Sequence, residues 1–208
     1  MKKLLGTLLA LVLLLLAGCT SQPTKPATTE APKPKTPDFD TGRVAFQRTY
    51  IAARGWARDA QPYRLESQIT SDSKGKDGKS DVWRATFASP SGRSAKPYIW
   101  SGTDASDAPP RGVSPGNEDS YTPTNSHTQV FDLAYLKVDS DQAFNTAQKH
   151  GGDKVLEKAP DTPILYILDW NHVTNQLVWQ VIYGTSPDAA QLRVDVNASN
   201  GDFLRVEK

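Results

Sequence analysis

The chain has 208 residues, of which 38% are hydrophobic and 23% are charged. These proportions allow a buried core and exclude a wholly disordered or collagen-like chain. Two of the 24 basic residues, Lys2 and Lys3, lie in a segment that we expect to be cleaved off, which leaves 22 basic against 23 acidic residues. A nearly neutral chain with one cysteine argues against a nucleic-acid partner and excludes a disulfide framework.

Residues 1–18 have the pattern of a bacterial export signal. Lys2 and Lys3 are followed by a mainly apolar run over 4–16. At 1.5 Å per residue such a run spans about 20 Å, which is shorter than the roughly 30 Å hydrocarbon core of a bilayer. The segment is therefore interpreted as a cleaved signal and not as a permanent transmembrane helix.

The sequence Leu16-Ala17-Gly18-Cys19 resembles the lipobox of bacterial lipoprotein signal peptides. The resemblance implies cleavage between Gly18 and Cys19, with the Cys19 thiol accepting a diacylglyceryl group. Two or more acyl chains hold a protein on a membrane, so a lipid anchor in the cell envelope is predicted. The alternative is an ordinary secretory signal with a chance cysteine. Residue 20, directly after the cysteine, is Thr and not Asp. In a Gram-negative cell, the resemblance to other lipoproteins then favours sorting to the periplasmic side of the outer membrane over retention in the inner membrane.

Residues 19–39 are predicted to be a disordered tether. The segment contains no apolar periodicity, and Pro-rich chain favours an extended form near 3.1 Å per residue, which gives a reach of roughly 60 Å. A peptide-ligand function would rest only on Pro-Lys-Pro at 32–34. The five prolines of the tether are Pro23, Pro26, Pro32, Pro34 and Pro37.

An internal repeat with a spacing of 96 residues dominates the remaining chain. The strand-like segment that contains Trp83 matches the one that contains Trp179 in chemical pattern, and the order of the flanking landmarks is the same in both halves. The repeat predicts two copies, over 40–102 and 131–208, joined by a Pro-rich connector over 103–130. This connector either links two units or wraps over one sheet.

Each copy is predicted to be a helix followed by a small antiparallel sheet, which places the fold in the α+β class. Asp40 or Thr41 is expected to cap the first helix, and Asp139 or Ser140 the second. The pair Gly151-Gly152 is expected to break the second helix. The predicted strands are 63–69, 82–88 and 96–101 in the first copy, and 164–170, 177–184, 191–197 and 203–207 in the second.

The two copies resemble tandem PepSY-like domains, which have a cystatin-like helix on a curved sheet. The resemblance covers 43–102 and 131–208. It rests on Ala143-Phe144 at the start of a helix, on the Trp179 strand, and on the terminal strand and turn over 194–201. It implies an exported or membrane-attached protein that inhibits or regulates peptidases or binds partners. The family has no shared catalytic residues to transfer to this chain.

No pattern of metal ligands or catalytic groups is evident. His127, His150 and His172 lack helical metal-site spacing, and no nucleophile elbow or phosphate-binding glycine loop occurs. The stretch from Asp195 superficially resembles a calcium loop, but Val206 stands where a bidentate glutamate is needed. We therefore predict no metal, no cofactor and no enzymatic activity.

Aromatic residues are the remaining candidates for a site. Trp83 and Trp179 are expected to be core residues, whereas Trp170, Tyr166 and Trp100 are named as a possible binding surface, with core packing as the alternative. The leading hypothesis is a non-catalytic interaction or peptidase-regulating module whose partner is an envelope protein or peptidase. The alternatives are a module that binds a small ligand or polymer, and a hydrolase of unrecognised type.

Overall fold

The computed structural model describes residues 35–207. The predicted signal, the lipidation residue Cys19 and the tether up to residue 34 lie outside the described residues. Within 35–207, no helix is long and apolar enough to cross a membrane.

Antiparallel β-sheet forms most of the described chain. Nine strands make one sheet in the order β11-β10-β9-β8-β2-β4-β5-β6, with β7 paired to the other end of β5, while β1 and β3 form a separate two-stranded ribbon. The strand bounds are β1 Asp40–Thr41, β2 Gln61–Ser67, β3 Lys79–Ser80, β4 Val82–Ser89, β5 Ser94–Ser101, β6 Gly112–Pro115, β7 Asp119–Ser120, β8 Ile164–Asn171, β9 Gln176–Gly184, β10 Ala190–Asn197 and β11 Phe203–Glu207.

Three α-helices accompany the sheet: α1 Gly42–Trp56, α2 Ser140–Ala147 and α3 Asp153–Lys158. Helix α1 buries small and aromatic residues at helical spacing, as the sequence predicts. The predicted break after α2 is present, because Gly151 has a φ of 112°, which favours glycine. The predicted α+β class, with helices on antiparallel sheet, is confirmed.

The two copies share one sheet. Strand β2 of the first copy pairs antiparallel with β8 of the second, with Leu65 opposite Leu168 at the centre of the register. The order of strands is symmetric about this junction, since β4, β5 and β6 follow β2 on one side as β9, β10 and β11 follow β8 on the other. The junction leaves no exposed sheet edge between the copies.

The two repeated tryptophans occupy equivalent places at the centre of the core. Trp83 and Trp179 are both 0% exposed, and their rings meet edge to face with centroids 6.3 Å apart. The Trp83 indole N–H donates to the backbone oxygen of Asp40, and the Trp179 indole N–H donates to that of Val138, each at 3.0 Å. Both acceptors lie two residues before the first residue of a helix. Their predicted role as core residues is confirmed.

The helix caps also join the two copies. The Asp139 carboxylate accepts the backbone N–H of Ser140 at 2.7 Å and forms a capping box with Gln142 at the start of α2. It also accepts the backbone N–H of Arg43, at 2.9 Å, and the hydroxyl of Thr41, at 2.6 Å. Thr41 holds the N-cap position of α1 without a side-chain cap bond of its own. One carboxylate therefore caps both helices.

The connector wraps over the sheet. Strands β6 and β7 pair with β5, and Tyr121 then stacks on Tyr63 with ring centroids 6.4 Å apart. The backbone N–H of Phe131 donates to the oxygen of Pro62 at 2.9 Å. The connector therefore runs from the β5 edge to the start of β2 and covers one end of the sheet.

Candidate functional site

A row of polar side chains crosses the sheet on the face opposite the helices. Strand alternation dictates this face, because the residues beside Trp83, Leu65, Leu168 and Trp179 in sequence point away from the core. We call this row the open face. It spans β4, β2, β8, β9, β10 and β11, and its nine residues, in the order in which they contact one another, are Arg84, Glu66, Arg64, Asp169, Gln180, Arg193, Glu207, Arg205 and Asp195.

The first half of the open face joins the two copies by ion pairs. Arg84 Nη1 lies 3.3 Å from Glu66 Oε1, and Glu66 Oε2 accepts from Arg64 Nε at 2.8 Å. Arg64 Nη1 then reaches across the β2–β8 junction to Asp169 Oδ2 at 3.0 Å. The amide of Gln180 donates to Asp169 Oδ1 at 3.2 Å. Each contact links adjacent strands or neighbours on one strand.

The second half continues the row to the sheet edge. Arg193 Nη2 donates to Gln180 Oε1 at 3.4 Å, and Arg193 also pairs with Glu207. Arg205 pairs with Glu207 and lies 2.8 Å from Asp195 Oδ2 through its Nε. The open face therefore carries four arginines and four carboxylates in one connected network, and its net charge is zero.

Partial burial raises the pKa of two carboxylates in this network and leaves two of its buried atoms without a hydrogen-bond partner. Burial raises the pKa of Asp169, although the nearby Arg64 opposes the shift. Burial likewise raises the pKa of Asp195, against the hydrogen bond from Arg205. Arg193 Nε and Asp195 Oδ1 are buried and have no hydrogen-bond partner among the described residues. Both atoms lie below the surface of the row, so they weaken the network locally and offer no contact to a partner.

Apolar side chains lie between the charges. Cross-strand pairing places Ile167 opposite Glu66, Val178 opposite Asp169, and Ile182 opposite Arg193. All three apolar residues are buried even though they face away from the helices. Arginine stems commonly cover such apolar surface while their charged ends stay in water. The open face therefore combines hydrogen-bonding groups with apolar surface beneath them.

The predicted aromatic binding surface is wrong in two of its three members. Tyr166 is 0% exposed and Trp100 is 3% exposed, because both point toward the helices. Arg48 lies over the Trp100 ring at 5.1 Å from its centroid. Trp170 is partly buried and meets Tyr135 edge to face at 5.2 Å. The structure therefore assigns these aromatic residues to packing.

Tyr166 instead holds a loop of the first copy against the second. Its hydroxyl donates to the oxygen of Gly75 at 2.7 Å and accepts the N–H of Gly78 at 3.1 Å. The backbone N–H of Ile164 donates to the oxygen of Lys74 at 2.8 Å. The loop over 74–78 thus packs between the copies.

Replacing Tyr166 with phenylalanine should lower the free energy of unfolding by about 1–3 kcal/mol, because two buried backbone groups lose their partner. Urea denaturation measures this change. Tyr135→Phe is the matched control, since Tyr135 is exposed and its ring packing is retained. Equal stability of the Tyr166 variant and wild type would show that the hydroxyl does not hold the loop.

Two of the three histidines are neighbours, and the third lies apart from them. His150 stacks on Phe203 with centroids 3.8 Å apart, while the rings of His127 and His172 are 6.2 Å apart at the end of the sheet that the connector covers. Residues 35–207 contain no group of three or more His, Cys, Asp or Glu that could hold a metal ion. In the stretch from Asp195, the Asn197 side chain accepts the N–H of Ser199 at 2.8 Å, which is turn chemistry.

A cleft of the described chain lies near residue 37, beside the loop that precedes β3. It has a volume of about 860 Å³, is wide open, and mixes charges of both signs. Small-ligand sites are usually concave, largely apolar and enclosed, so this cleft gives little support to a small-ligand function. Its charged lining consists of Asp38, Asp40, Asp72, Asp77, Asp161, Arg48, Lys74, Lys76 and Lys79.

Comparison with solved structures finds one similar fold. A crystal structure from Clostridium difficile 630, of a protein provisionally described as a lipoprotein, matches with a TM-score of 0.53 and 12% sequence identity. The match covers 81% of this chain and 94% of that chain, and at this identity it shows the fold alone. No family model matches the chain, and no curated protein matches it. The PepSY-like resemblance therefore still rests on the sequence motifs.

Proposed function

We propose that the protein is a lipid-anchored envelope protein that binds a partner protein through the open face and catalyses no reaction. The observation that carries this proposal is the continuous polar network across six strands, from Arg84 to Asp195. Six strands at about 4.8 Å spacing make the row about 24 Å wide. That width suits a protein interface, to which each partner typically contributes about 800 Å².

The chemistry of the open face favours a folded protein over a nucleic acid or a polyion. Four arginines are balanced by four carboxylates, so the row offers no excess charge for a polyelectrolyte. Arginine is enriched at protein interfaces, and the open face carries four arginines. Because the face is a long row of charged groups and not a deep apolar cavity, it suits a protein surface better than a small molecule.

A peptidase of the envelope is the partner class that we favour. The PepSY-like resemblance of 43–102 and 131–208 supports it, since members of that family are proposed to regulate peptidases. Binding without catalysis fits the described chain, in which the charged groups of the open face are occupied by one another. The lipobox-like sequence at 16–19 supports anchoring, and so does the description of the structural neighbour as a lipoprotein.

Replacing Cys19 with serine should abolish lipid attachment, because the chain has no other thiol to accept the diacylglyceryl group. Metabolic labelling with a fatty-acid analogue measures the attachment. A Ser21→Ala variant is the control and should be labelled like wild type. Labelled protein from the Cys19 variant would contradict the proposed anchor.

Site-specific photo-crosslinking in intact cells tests the binding face. A photoreactive phenylalanine analogue at Arg84, which is partly exposed on the open face, should give a discrete crosslinked protein band. The control is the same group at Lys154, which is exposed on the helix side in α3. Mass spectrometry of the band identifies the partner. Crosslinks from Lys154 alone would move the binding surface to the helix side and overturn the proposed face.

A further inference from the structure

The outer surface of α1 exposes apolar side chains, which is unusual for a helix that only covers a sheet. Ile51 is 75% exposed and Val44 is 38% exposed, and they lie seven residues apart on the same face. Helical spacing puts Arg43 and Arg54 on one flank of this apolar pair and Arg48 on the other. An apolar stripe bordered by arginines is the arrangement of helices that lie in a membrane interface.

The charged residues of α1 itself have one sign. The segment 42–58 contains four arginines and no acidic residue. Arg48 pairs with Asp40 at 2.8 Å, while Arg43, Arg54 and Arg58 form no ion pair within residues 35–207. The second copy differs, because its exposed helical charges are balanced: Asp141, Asp153 and Glu157 against Lys149, Lys154 and Lys158.

The position of α1 in the chain brings it close to the proposed anchor. Residues 20–34 separate Cys19 from the described chain, and at the roughly 3.1 Å per residue of a Pro-rich extended chain they reach about 45 Å. The described chain then passes directly through Asp40–Thr41 into α1 at Gly42. The N-terminus of this helix is therefore within tether reach of a bilayer that holds Cys19.

We propose that the outer surface of α1 docks onto an anionic phospholipid surface, with Ile51 and Val44 inserted among the headgroups and the arginines on the phosphates. This inference rests on the proposed anchoring at Cys19. Basic residues are attracted to anionic lipid over about one Debye length, so docking should weaken as salt is added. With the helices on the membrane, the open face on the other side of the sheet points away from it and toward a partner.

Fluorescence quenching in vesicles tests this docking. The full-length lipidated protein carries Ile51→Cys, labelled with an environment-sensitive dye, because the lipid already occupies Cys19. The vesicles contain equal amounts of phosphatidylcholine and phosphatidylglycerol, with a nitroxide-labelled lipid as quencher. Val173→Cys is the control, since Val173 is 80% exposed in the turn between β8 and β9. We expect quenching at position 51 and none at position 173.

Two further comparisons separate docking from anchoring. The double variant that carries both Arg43→Gln and Arg54→Gln should have a ratio of docked to undocked protein about 25-fold lower than wild type. Each basic residue near an anionic surface contributes about fivefold to this ratio. Vesicles of phosphatidylcholine alone should abolish the quenching at position 51. Protein that floats with the vesicles but is not quenched there would overturn the docking and leave the anchor intact. Protein that does not float would contradict the anchor and the docking together.

Discussion

Truncating either repeated tryptophan to alanine should lower the free energy of unfolding by about 3–5 kcal/mol, because each change leaves a large cavity in a fully packed core. Trp83 and Trp179 contact each other, so each cavity opens at the centre where the two copies meet. Thermal and urea denaturation measure the loss. The double variant should cost less than the sum of the single variants, since neighbouring residues are energetically coupled.

Phenylalanine variants separate packing from hydrogen bonding at the same positions. Trp83→Phe keeps an aromatic ring but removes the N–H that donates to Asp40, and it should cost about 1–3 kcal/mol. Trp179→Phe removes the equivalent bond to Val138 and should cost a similar amount. A loss below 1 kcal/mol for both alanine variants would show that the two residues do not form a shared core.

Replacing Asp139 with alanine should lower the free energy of unfolding by about 1–4 kcal/mol, because one change removes a cap from two helices and each cap contributes about 0.5–2 kcal/mol. The carboxylate also loses its bond from Thr41. Asp139→Asn should cost less, since asparagine is a good cap, although it carries no charge. Denaturation midpoints measure both changes.

Asp141 is the matched control for this prediction. It stands two residues later on the same helix, is partly exposed, and accepts a bond only from the backbone N–H of its neighbour Gln142. Asp141→Ala should therefore change stability by less than about 1 kcal/mol. If Asp139→Ala were no more destabilising than Asp141→Ala, the double cap would have no energetic importance.

The repeat could be predicted from the sequence because it depends on local pattern. The spacing between Trp83 and Trp179, the helix starts near Thr41 and Asp139, and the break at Gly151 all leave signals within a few residues. The predicted strands therefore lie close to those of the structure, as with 177–184 against Gln176–Gly184 for β9. Such periodic elements are what hydrophobic pattern identifies best.

The open face could not be predicted, because it depends on which strands pair. Arg64 and Asp169 are 105 residues apart, and they meet only because β2 pairs with β8. A signal does exist in the strands themselves, where Arg64 and Glu66 flank the core residue Leu65, and Arg193 and Asp195 flank Val194. The aromatic residues Tyr166 and Trp100, which the sequence offered as a binding surface, instead fill the core.

The binding affinity of the crosslinked partner is the most direct test of the proposed function. With the partner identified, isothermal titration calorimetry compares wild type with Arg84→Ala and Arg205→Ala, and with Lys154→Ala on the helix side as control. Arginine is enriched among the interface residues whose truncation weakens binding at least tenfold. We expect a loss of that size for at least one open-face variant and none for the control. Unchanged affinity in both open-face variants would contradict the account.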